Sequence, residues 1–256
     1  MIHPTAIIDP AAVLAADVEV GAFSIIGPDV KIGAGTIVAS HVVINGHTTI
    51  GERNRIFQFA SVGEANQDKK YKDEATRVEI GDDNIIREYC SIHRGTVQDG
   101  GLTRIGSRNL LMTSVHIAHD VMMGSDNIVA TGSGVSGHVH IGDHVILGGM
   151  TGVHQFCHIG SHAMTAGCSL VVKDIPAYVM VGGNPSKAFG MNFEGMRRRG
   201  WSAETINILK RAYRTVYRDS LTLEVAIAEV EKLVAECPEV QLFIDSLKDS
   251  TRGIVR

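Results

Sequence analysis

The sequence predicts a parallel β-helix, a prism of stacked three-sided coils, with a small helical domain at one end. Three observations predict it. An aliphatic residue recurs every six positions over most of the chain, glycine often follows that residue, and the C-terminal part changes to a helical period. The composition agrees, because 28 glycines with only 5% aromatic residues are typical of a repeat rather than of a mixed core.

The six-residue period runs from Ile2 to Val62, from Ile80 to Ile92 and, after one added residue, from Ile105 to Val171, where Thr165 is the polar departure. Six fits neither the 3.6 period of a helix nor the 2 of a strand. It fits a short strand and a turn, with the aliphatic residue inside and glycine where a Cβ would be costly. Three such sides close a coil, and the steps predict about nine coils.

Two segments interrupt the period and predict loops. Residues 63–79 are too polar for a core, and residues 95–104 are rich in glycine. From Ser202, a plausible N-cap, the apolar residues follow a helical period, and further helices are predicted after Thr222 and Pro238. We therefore expect a β-helix domain over 1–189 and a C-terminal helical domain over 190–256 that covers the open end of the prism.

Charge and cysteine content exclude several classes of protein. The formal net charge of −4 and pI near 6.3 give no reason to expect nucleic acid as a partner. No apolar run approaches the roughly 18 residues of a membrane span, and the N-terminus lacks the pattern of a signal peptide. The four cysteines are scattered, which indicates reduced thiols and a cytoplasmic protein.

The period places several polar residues together. Residues 18 apart stack in adjacent coils, so His119, Gly137 and Gln155 form one column, with His138 and His154 in the columns on either side. The glycine leaves room for a ligand and exposes a backbone N–H. A single histidine on a β-helix more often decorates the surface, but four polar groups around a glycine favour a site with histidine as general base.

Other features carry weaker predictions. The pairs His140/His158 and His144/His162 also stack and could bind metal, but they are interpreted as incidental surface residues, and Cys157 and Cys168 as small packed hydrophobes. A basic patch suits an acidic partner or a phosphate; its members are Arg197, Arg198, Arg199, Lys210, Arg211, Arg214 and Arg218.

Five segments are more specific than the repeat. They are HVVINGH at 41–47, IHRGTVQ at 92–98, HIAHD at 116–120, VHQFC at 153–157 and NFEGMRRRG at 192–200. They resemble the UDP-N-acetylglucosamine O-acyltransferases, hexapeptide-repeat enzymes of the first step of lipid A biosynthesis. The resemblance covers essentially the whole chain. It implies left-handed winding, which the general rule for parallel crossovers would not predict.

The resemblance also implies a mechanism. His119 would be the general base that takes the proton from the sugar 3-hydroxyl, Asp120 would orient the imidazole, and the Gly137 N–H would be the oxyanion donor. Neither a metal nor a cofactor is implied. The partners would be acyl carrier protein, docked on the Arg-rich C-terminal region, and UDP-N-acetylglucosamine, in a homotrimer with the sites between prisms.

The same resemblance implies a set of substrate contacts. They are Gln67, Asp68, Lys70, His116, His138, His154, Gln155, Asn192, Glu194, Arg198 and Arg199. Gly167 matches the position that limits the acyl chain, and a glycine there implies an open end and a longer chain. Thr131-Gly132 departs from the pair of asparagines in better-known members, which bears on the acyl groove.

Two other classes of function remain open at this stage. Another hexapeptide enzyme is possible, although the related N-acyltransferase has an additional N-terminal domain. A γ-type zinc carbonic anhydrase needs three zinc histidines, and His116 and His119 should point to different faces. A non-catalytic scaffold would not need the histidine column or the Asp68/Lys70 loop.

Overall fold

The computed structural model describes all 256 residues and shows 27 short strands. In chain order they are β1 Ile7–Ile8, β2 Val13–Leu14, β3 Glu19–Val20, β4 Ile25–Ile26, β5 Val30–Ile32, β6 Ile37–Val38, β7 Val43–Ile44, β8 His47–Ile50, β9 Arg55–Ile56, β10 Ser61–Glu64, β11 Arg77–Ile80, β12 Ile85–Ile86, β13 Ser91–His93, β14 Leu102–Ile105, β15 Leu110–Leu111, β16 His116–Ile117, β17 Met122–Met123, β18 Ile128–Val129, β19 Gly134–Val135, β20 His140–Ile141, β21 Ile146–Leu147, β22 Gly152–Val153, β23 His158–Ile159, β24 Met164–Thr165, β25 Leu170–Val171, β26 Val179–Gly182 and β27 Lys187–Met191.

Every third strand joins the same sheet, so three sheets form the sides of a prism. Sheet 1 runs from β1 to β25 with nine strands, sheet 2 from β2 to β23 with eight, and sheet 3 from β3 to β27 with ten. The pairs are parallel except β26 with β27, and Ile117 pairs with Val135, which pairs with Val153. The chain is therefore the predicted left-handed parallel β-helix, and its register is unbroken around the histidine column.

The core is the column of aliphatic residues inside the prism. Val62, Ile92 and Ile117 are fully buried. Thr165 is buried too, and its hydroxyl accepts the Gly148 N–H at 2.9 Å and lies 2.9 Å from the Thr151 hydroxyl. The polar departure from the repeat is therefore hydrogen-bonded, which removes most of the penalty for burying a hydroxyl.

Asparagine forms a ladder inside one edge of the prism that the sequence analysis did not predict. Asn54, Asn84, Asn109 and Asn127 are buried and stack in successive coils. The Oδ1 of each of the first three accepts the backbone N–H of the next asparagine at 2.9 Å, and Asn109 Nδ2 donates to Gly124 O at 3.0 Å. The ladder ends at Asn127, whose Nδ2 has no partner.

Two loops project from the prism, as the sequence indicates, but they are shorter than expected. The first spans 65–76 and the second 94–101, because residues 61–64, 77–80 and 102–105 pair with neighbouring coils. Both loops lie on the edge between sheets 1 and 2, since each follows a strand of sheet 1 and precedes a strand of sheet 2.

Four helices follow the prism: α1 Phe193–Arg198, α2 Ala203–Tyr217, α3 Leu223–Glu231 and α4 Val240–Lys248. Ser202 and Thr222 cap α2 and α3 as predicted. The short α1 was not predicted, and Asn192 caps it by accepting the Gly195 N–H at 2.9 Å. Strand β27 ends at Met191, just beyond the expected domain boundary. None of these helices is long and apolar enough to cross a bilayer.

The helical domain is attached to the last coils by hydrogen bonds. Tyr178 Oη donates to Glu239 O at 3.0 Å, and the Ala177 N–H donates to Ser246 Oγ at 2.8 Å. The buried Asp174 holds the C-terminal segment, because its Oδ2 accepts one O–H and two N–H bonds at 2.8–2.9 Å from residues 250–252. The first coil, in contrast, is uncovered: Ile2 is 50% exposed, and the inward-facing Ile8 and Leu14 are only partly buried.

Candidate active site

The histidine column lies on the edge between sheets 1 and 2, in the turns that follow β16, β19 and β22. The His138 N–H donates to His119 O at 3.1 Å, and the Phe156 N–H donates to Gly137 O at 3.2 Å. These two bonds tie the three turns together. The stacking predicted from the six-residue period is therefore what the structure shows.

His119 is paired with a buried carboxylate. Its Nδ1 lies 2.9 Å from Oδ2 of Asp120, which is only 2% exposed. An ionised carboxylate only accepts hydrogen bonds, so Nδ1 carries the proton and Nε2 keeps a lone pair. Nε2 makes no hydrogen bond within the protein. This is the arrangement of a general base with its orienting acid.

Thr96 holds the carboxylate in place from the loop at 94–101. Its N–H donates to Asp120 Oδ1 at 2.8 Å and its hydroxyl to Oδ2 at 2.7 Å. The Asp120 N–H in turn donates to Thr103 Oγ1 at 2.9 Å. Thr96 was not identified from the sequence, because its loop departs from the period and the spacing gives no register for it.

Gly137 lets the His119 ring lie across the next coil. A Cβ built on Gly137 would lie 2.4 Å from Cε1 and 2.7 Å from Nε2 of His119. The Gly137 N–H has no acceptor in the protein, but the same holds for His119 and Gln155 at the equivalent turn positions. What distinguishes Gly137 is therefore the absent side chain, whose space the His119 ring occupies.

A second imidazole lies beside the first. His138 Nδ1 is 2.9 Å from Asp99 Oδ2 and 3.8 Å from Asp120 Oδ2. The Phe156 ring stacks on it with centroids 4.5 Å apart, and the His119 ring meets it edge-on at 5.0 Å. Asp99 was missed by the sequence analysis; the only signal was an acidic residue in a glycine-rich loop predicted near the column.

An open cleft of about 610 Å³ lies in front of these residues. Of the predicted residues it brings together Gln67, Asp68, Lys70, His119, His138 and Gln155, and it adds Lys69, Gln98, Asp99 and Phe156. A hydrogen bond within the first loop helps to hold its residues at the cleft: the Lys70 N–H donates to Asp68 Oδ1 at 2.9 Å.

His116 and His154 lie beside this cleft rather than in its lining. His116 Nδ1 is 2.8 Å from Ser91 Oγ, and burial, with the nearby His119, lowers the pKa of His116 below its ordinary value. Burial lowers the pKa of the neighbouring His93 to about 4. Both rings are therefore neutral at pH 7 and add no positive charge next to His119. His154 is exposed, and its Nδ1 is 3.1 Å from Gln155 O.

The remaining predicted contacts form a separate cleft of about 490 Å³ on sheet 3. It is lined by Asn192, Glu194, Arg198 and Arg199 together with Ile146, Met164, Met180 and Gly195. Within one chain these residues do not meet His119, which lies on the opposite edge of the prism. Glu194 pairs with Arg198 at 3.3 Å, whereas Arg199 donates only to backbone carbonyls. Arg199 is thus the cation in this cleft without a carboxylate.

Comparisons with known proteins identify the family of the chain. Residues 174–255 match a family model described as UDP N-acetylglucosamine O-acyltransferase, domain 2, and residues 11–46 match the bacterial transferase hexapeptide model. The chain is 54% identical to the acyl-[acyl-carrier-protein]–UDP-N-acetylglucosamine O-acyltransferase of Pseudomonas aeruginosa and 56% identical to that of Stutzerimonas stutzeri, over 100% of this chain and 99% of each relative.

Solved structures give the same result. LpxA from Acinetobacter baumannii matches with a TM-score of 0.98 and 60% identity, and UDP-N-acetylglucosamine O-acyltransferase from Moraxella catarrhalis with 0.99 and 56%; each covers 100% of this chain and 99% of the other. The chain belongs to the UDP-N-acetylglucosamine O-acyltransferase family. As a member of this acyltransferase family it is an enzyme, which removes the carbonic anhydrase and scaffold interpretations.

The ligand chemistry of the column fits this family better than it fits a zinc enzyme. His119, Asp120 and His138 offer ligand atoms within 4.8 Å of one another. The Asp120 carboxylate, however, already accepts two bonds from Thr96 and one from His119. His116 is not part of this group. The donor set therefore favours proton transfer.

The stacked histidine pairs lie outside both clefts of this family member. The rings of His140 and His158, and those of His144 and His162, stack at 4.8 Å as the spacing predicts. Neither pair has a third metal-ligating group close enough to complete a site. A metal site is therefore not favoured at either pair, although His162 packs against Tyr178 and Trp201 and is not a surface residue.

Gly167 and Cys168, two of the positions assigned to chain length and packing, lie at the edge between sheets 3 and 1. Gly167 is exposed there, and an added Cβ would meet only Gly149 O at 3.4 Å. Cys157 is buried as predicted, and burial raises its pKa to about 11. The prediction that Cys168 packs inside is wrong: it is exposed, because its turn position with φ of 58° directs the side chain outwards.

Proposed function

We propose that this protein transfers a 3-hydroxyacyl chain from acyl carrier protein to the 3-hydroxyl of UDP-N-acetylglucosamine, the first step of lipid A biosynthesis. The observation that carries the proposal is the His119–Asp120 pair lying against Gly137, whose N–H has no acceptor in the protein. The names and full-length similarity of the relatives support the choice of the two substrates.

The reaction follows from these groups. His119 Nε2 takes the proton of the sugar 3-hydroxyl as its oxygen attacks the thioester carbonyl carbon, forming the C–O bond. Asp120 stabilises the resulting imidazolium through Nδ1, and the Gly137 N–H donates to the oxyanion. Collapse breaks the C–S bond, and the imidazolium returns its proton to the carrier-protein thiolate. No covalent intermediate with the enzyme is needed.

The two clefts suggest how the nucleotide is held. Gln67, Asp68 and Lys70 would contact the sugar from the loop beside His119, with His116, His154 and Gln155 completing the wall. Arg199, which lacks a carboxylate partner, would bind the diphosphate in the second cleft, with Asn192, Glu194 and Arg198 around it. Since these clefts lie on different sides of one chain, a site that uses both needs a second copy.

An exposed aromatic ladder supports a homotrimer with sites between prisms. Phe23, His41, Phe59 and Tyr89 stack along the edge between sheets 3 and 1 with centroids 5.1–5.4 Å apart, and Phe23 and Tyr89 are each 59% exposed. If sheet 3 of one copy faces sheet 1 of the next, this edge lies on the three-fold axis. The ladder would then be buried in the trimer, which explains an apolar stripe that one chain leaves in water.

The outer face of sheet 1 offers a path for the acyl chain. Gly134 and Gly152 follow His116 in register and present no side chain outwards. An added Cβ meets nothing within 4 Å at Gly134 and only the Leu170 side chain at 3.6 Å at Gly152. A strip without side chains between two copies would accept a linear chain, and the exposed Gly167 lies at the edge nearest its far end.

The helical domain supports docking of the acidic carrier protein. Arg211 and Arg214 lie on α2 in exposed pairs with Glu236 and Asp219. Exposed pairs contribute little, so the arginines can exchange these partners for carboxylates of another protein. All four cysteines are free thiols, which supports a cytoplasmic location, where thiols stay reduced.

Mass-spectrometric transfer assays with UDP-N-acetylglucosamine and a panel of 3-hydroxyacyl carrier proteins test the function. We expect His119→Ala to abolish transfer while UDP-N-acetylglucosamine still raises the melting temperature. Near-normal turnover in that variant would refute the mechanism. The trimer has its own test: His119→Ala and Arg199→Ala chains, each inactive alone, should regain activity when refolded together. If each site lies within one chain, the mixture stays inactive.

A further inference from the structure

Two imidazoles compete for one buried carboxylate in the candidate site. Asp120 Oδ2 is 2.9 Å from His119 Nδ1 and 3.8 Å from His138 Nδ1, so a small tilt of the second ring would let it donate to the same oxygen. That oxygen already accepts the Thr96 hydroxyl at 2.7 Å. A further donor would weaken the bond that orients His119.

A second carboxylate resolves this competition. Asp99 Oδ2 lies 2.9 Å from His138 Nδ1 and is the nearer of the two acceptors. Asp99 is half exposed, but its Oδ1 accepts the Gly100 N–H at 2.9 Å, which limits the rotation of the carboxylate. The hydrogen bond from His138 also holds the pKa of Asp99 below its ordinary value, so the group is ionised at neutral pH and can only accept.

We propose that Asp99 is a positioning residue: it binds the Nδ1–H of His138, keeps that ring away from Asp120 and leaves His138 Nε2 unprotonated towards the cleft. The inference deepens the proposed function and rests on it. His138 Nε2 makes no hydrogen bond within the protein, so it is available to accept a hydroxyl or amide proton of the bound sugar nucleotide.

One loop therefore orients both imidazoles. Thr96 fixes the acid partner of His119, and Asp99, three residues later, fixes His138. The loop is closed on itself, because the N–H groups of Asp99 and Gly101 both donate to Thr96 O, at 3.2 and 3.0 Å. Phe156 stacks on the His138 ring but offers it no hydrogen bond, so the partner of Nδ1 decides the tautomer.

Three variants separate this role from a structural one. Asp99→Ala removes the acceptor, Asp99→Asn keeps an oxygen that can accept from Nδ1–H, and Val97→Ala is the control for the loop, since Val97 is exposed and contacts neither imidazole. We expect Asp99→Ala to lower kcat roughly ten-fold or more, as for other small displacements of catalytic groups, with a smaller change in KM. Asp99→Asn should lower it less and Val97→Ala not at all.

A double-mutant cycle and NMR decide the case. In a His138→Gln background, Asp99→Ala should cost nothing further, because the ring that it positions is gone. Nitrogen-15 and proton spectra of the imidazoles should show the His119 Nδ1–H resonance moving in Asp99→Ala, because the released His138 Nδ1–H then competes for Asp120. The inference is overturned if the His119 Nδ1–H resonance is unchanged, or if Asp99→Ala causes the same fold-loss with and without His138.

The NMR measurement also separates the two proposals. It needs no transfer activity, so it reports on the position of His138 whatever reaction the enzyme catalyses. If the His119 Nδ1–H resonance moves in Asp99→Ala but no acyl transfer to UDP-N-acetylglucosamine is detected for the wild type, the proposed function fails and the positioning role stands. If transfer is normal and that resonance does not move, the positioning role alone fails.

Discussion

Replacing Gly137 by alanine tests the geometry of the candidate site directly. The φ angle of Gly137 is not in the left-handed region, so alanine can adopt the same backbone. Its Cβ, however, would lie 2.4 Å from His119 Cε1, whereas carbon atoms in contact stay roughly 3.5 Å apart or more. The ring must therefore move by about 1 Å, and the 2.9 Å bond to Asp120 must stretch or bend.

A displacement of that size costs about 10²-fold in rate when it misplaces a reacting group. We expect Gly137→Ala to lower kcat by about this factor while KM for UDP-N-acetylglucosamine and the melting temperature stay near their wild-type values. Steady-state kinetics and a thermal melt measure both. Gly190→Ala is the matched control, because an added Cβ there meets nothing within 4 Å. Wild-type kcat in Gly137→Ala would show that the His119 ring does not lie over residue 137.

Three further predictions concern stability. Asn109→Ala should lower the free energy of unfolding by roughly 2–4 kcal/mol in urea titrations, because it leaves buried groups of the asparagine ladder unpaired. Asn127→Ala should lower it less, because the Asn127 Nδ2 has no partner to lose. Asp174→Ala should release the C-terminal segment, seen as faster amide exchange at residues 250–255 with the prism still protected; unchanged exchange would contradict the latch. Burial lowers the pKa of His93 and of His162 to about 4. The stability that each neutral ring contributes, up to about 3 kcal/mol, is therefore present above pH 6.5 and lost as the pH falls towards 4. The urea midpoint of unfolding should be lower at pH 5 than at pH 7, and the difference should be smaller in His93→Gln.

The six-residue period predicts the prism and its histidine column because every coil has the same length. Once Ile117, Val135 and Val153 are recognised as equivalent, the positions of His119, Gly137 and Gln155 follow by counting. No side-chain energetics is needed for that step. The period also explains the stacking of the histidine pairs outside the site.

Counting fails where the chain leaves the prism. Thr96 and Asp99 act through a loop whose path depends on its own hydrogen bonds, so no spacing connects them to Asp120 or His138. Similarly, Asn192 lines the second cleft as a predicted contact, but its Oδ1 also caps a helix that the apolar period did not indicate.

The sequence also does not predict that the two clefts are separate in one chain. Motifs at 116–120 and 192–200 belong to one function in the sequence, yet they lie on different sides of one chain. A resemblance between motifs carries no information on which copy supplies them. That step needs the position of each sheet around the prism.

The two ends of the prism differ, and this has a consequence for how the molecule comes apart. In a stack where each coil contacts mainly its neighbours, opening proceeds from whichever terminus is less protected. The helices and the Asp174 latch close one terminus, while Ile2, Ile8 and Leu14, the inward-facing residues of the first coil, are incompletely buried at the other. Fraying should therefore travel from the amino-terminal coil inward, and the turns of the candidate site, which lie in the sixth to eighth of nine coils, would keep their shape until most of the stack has opened.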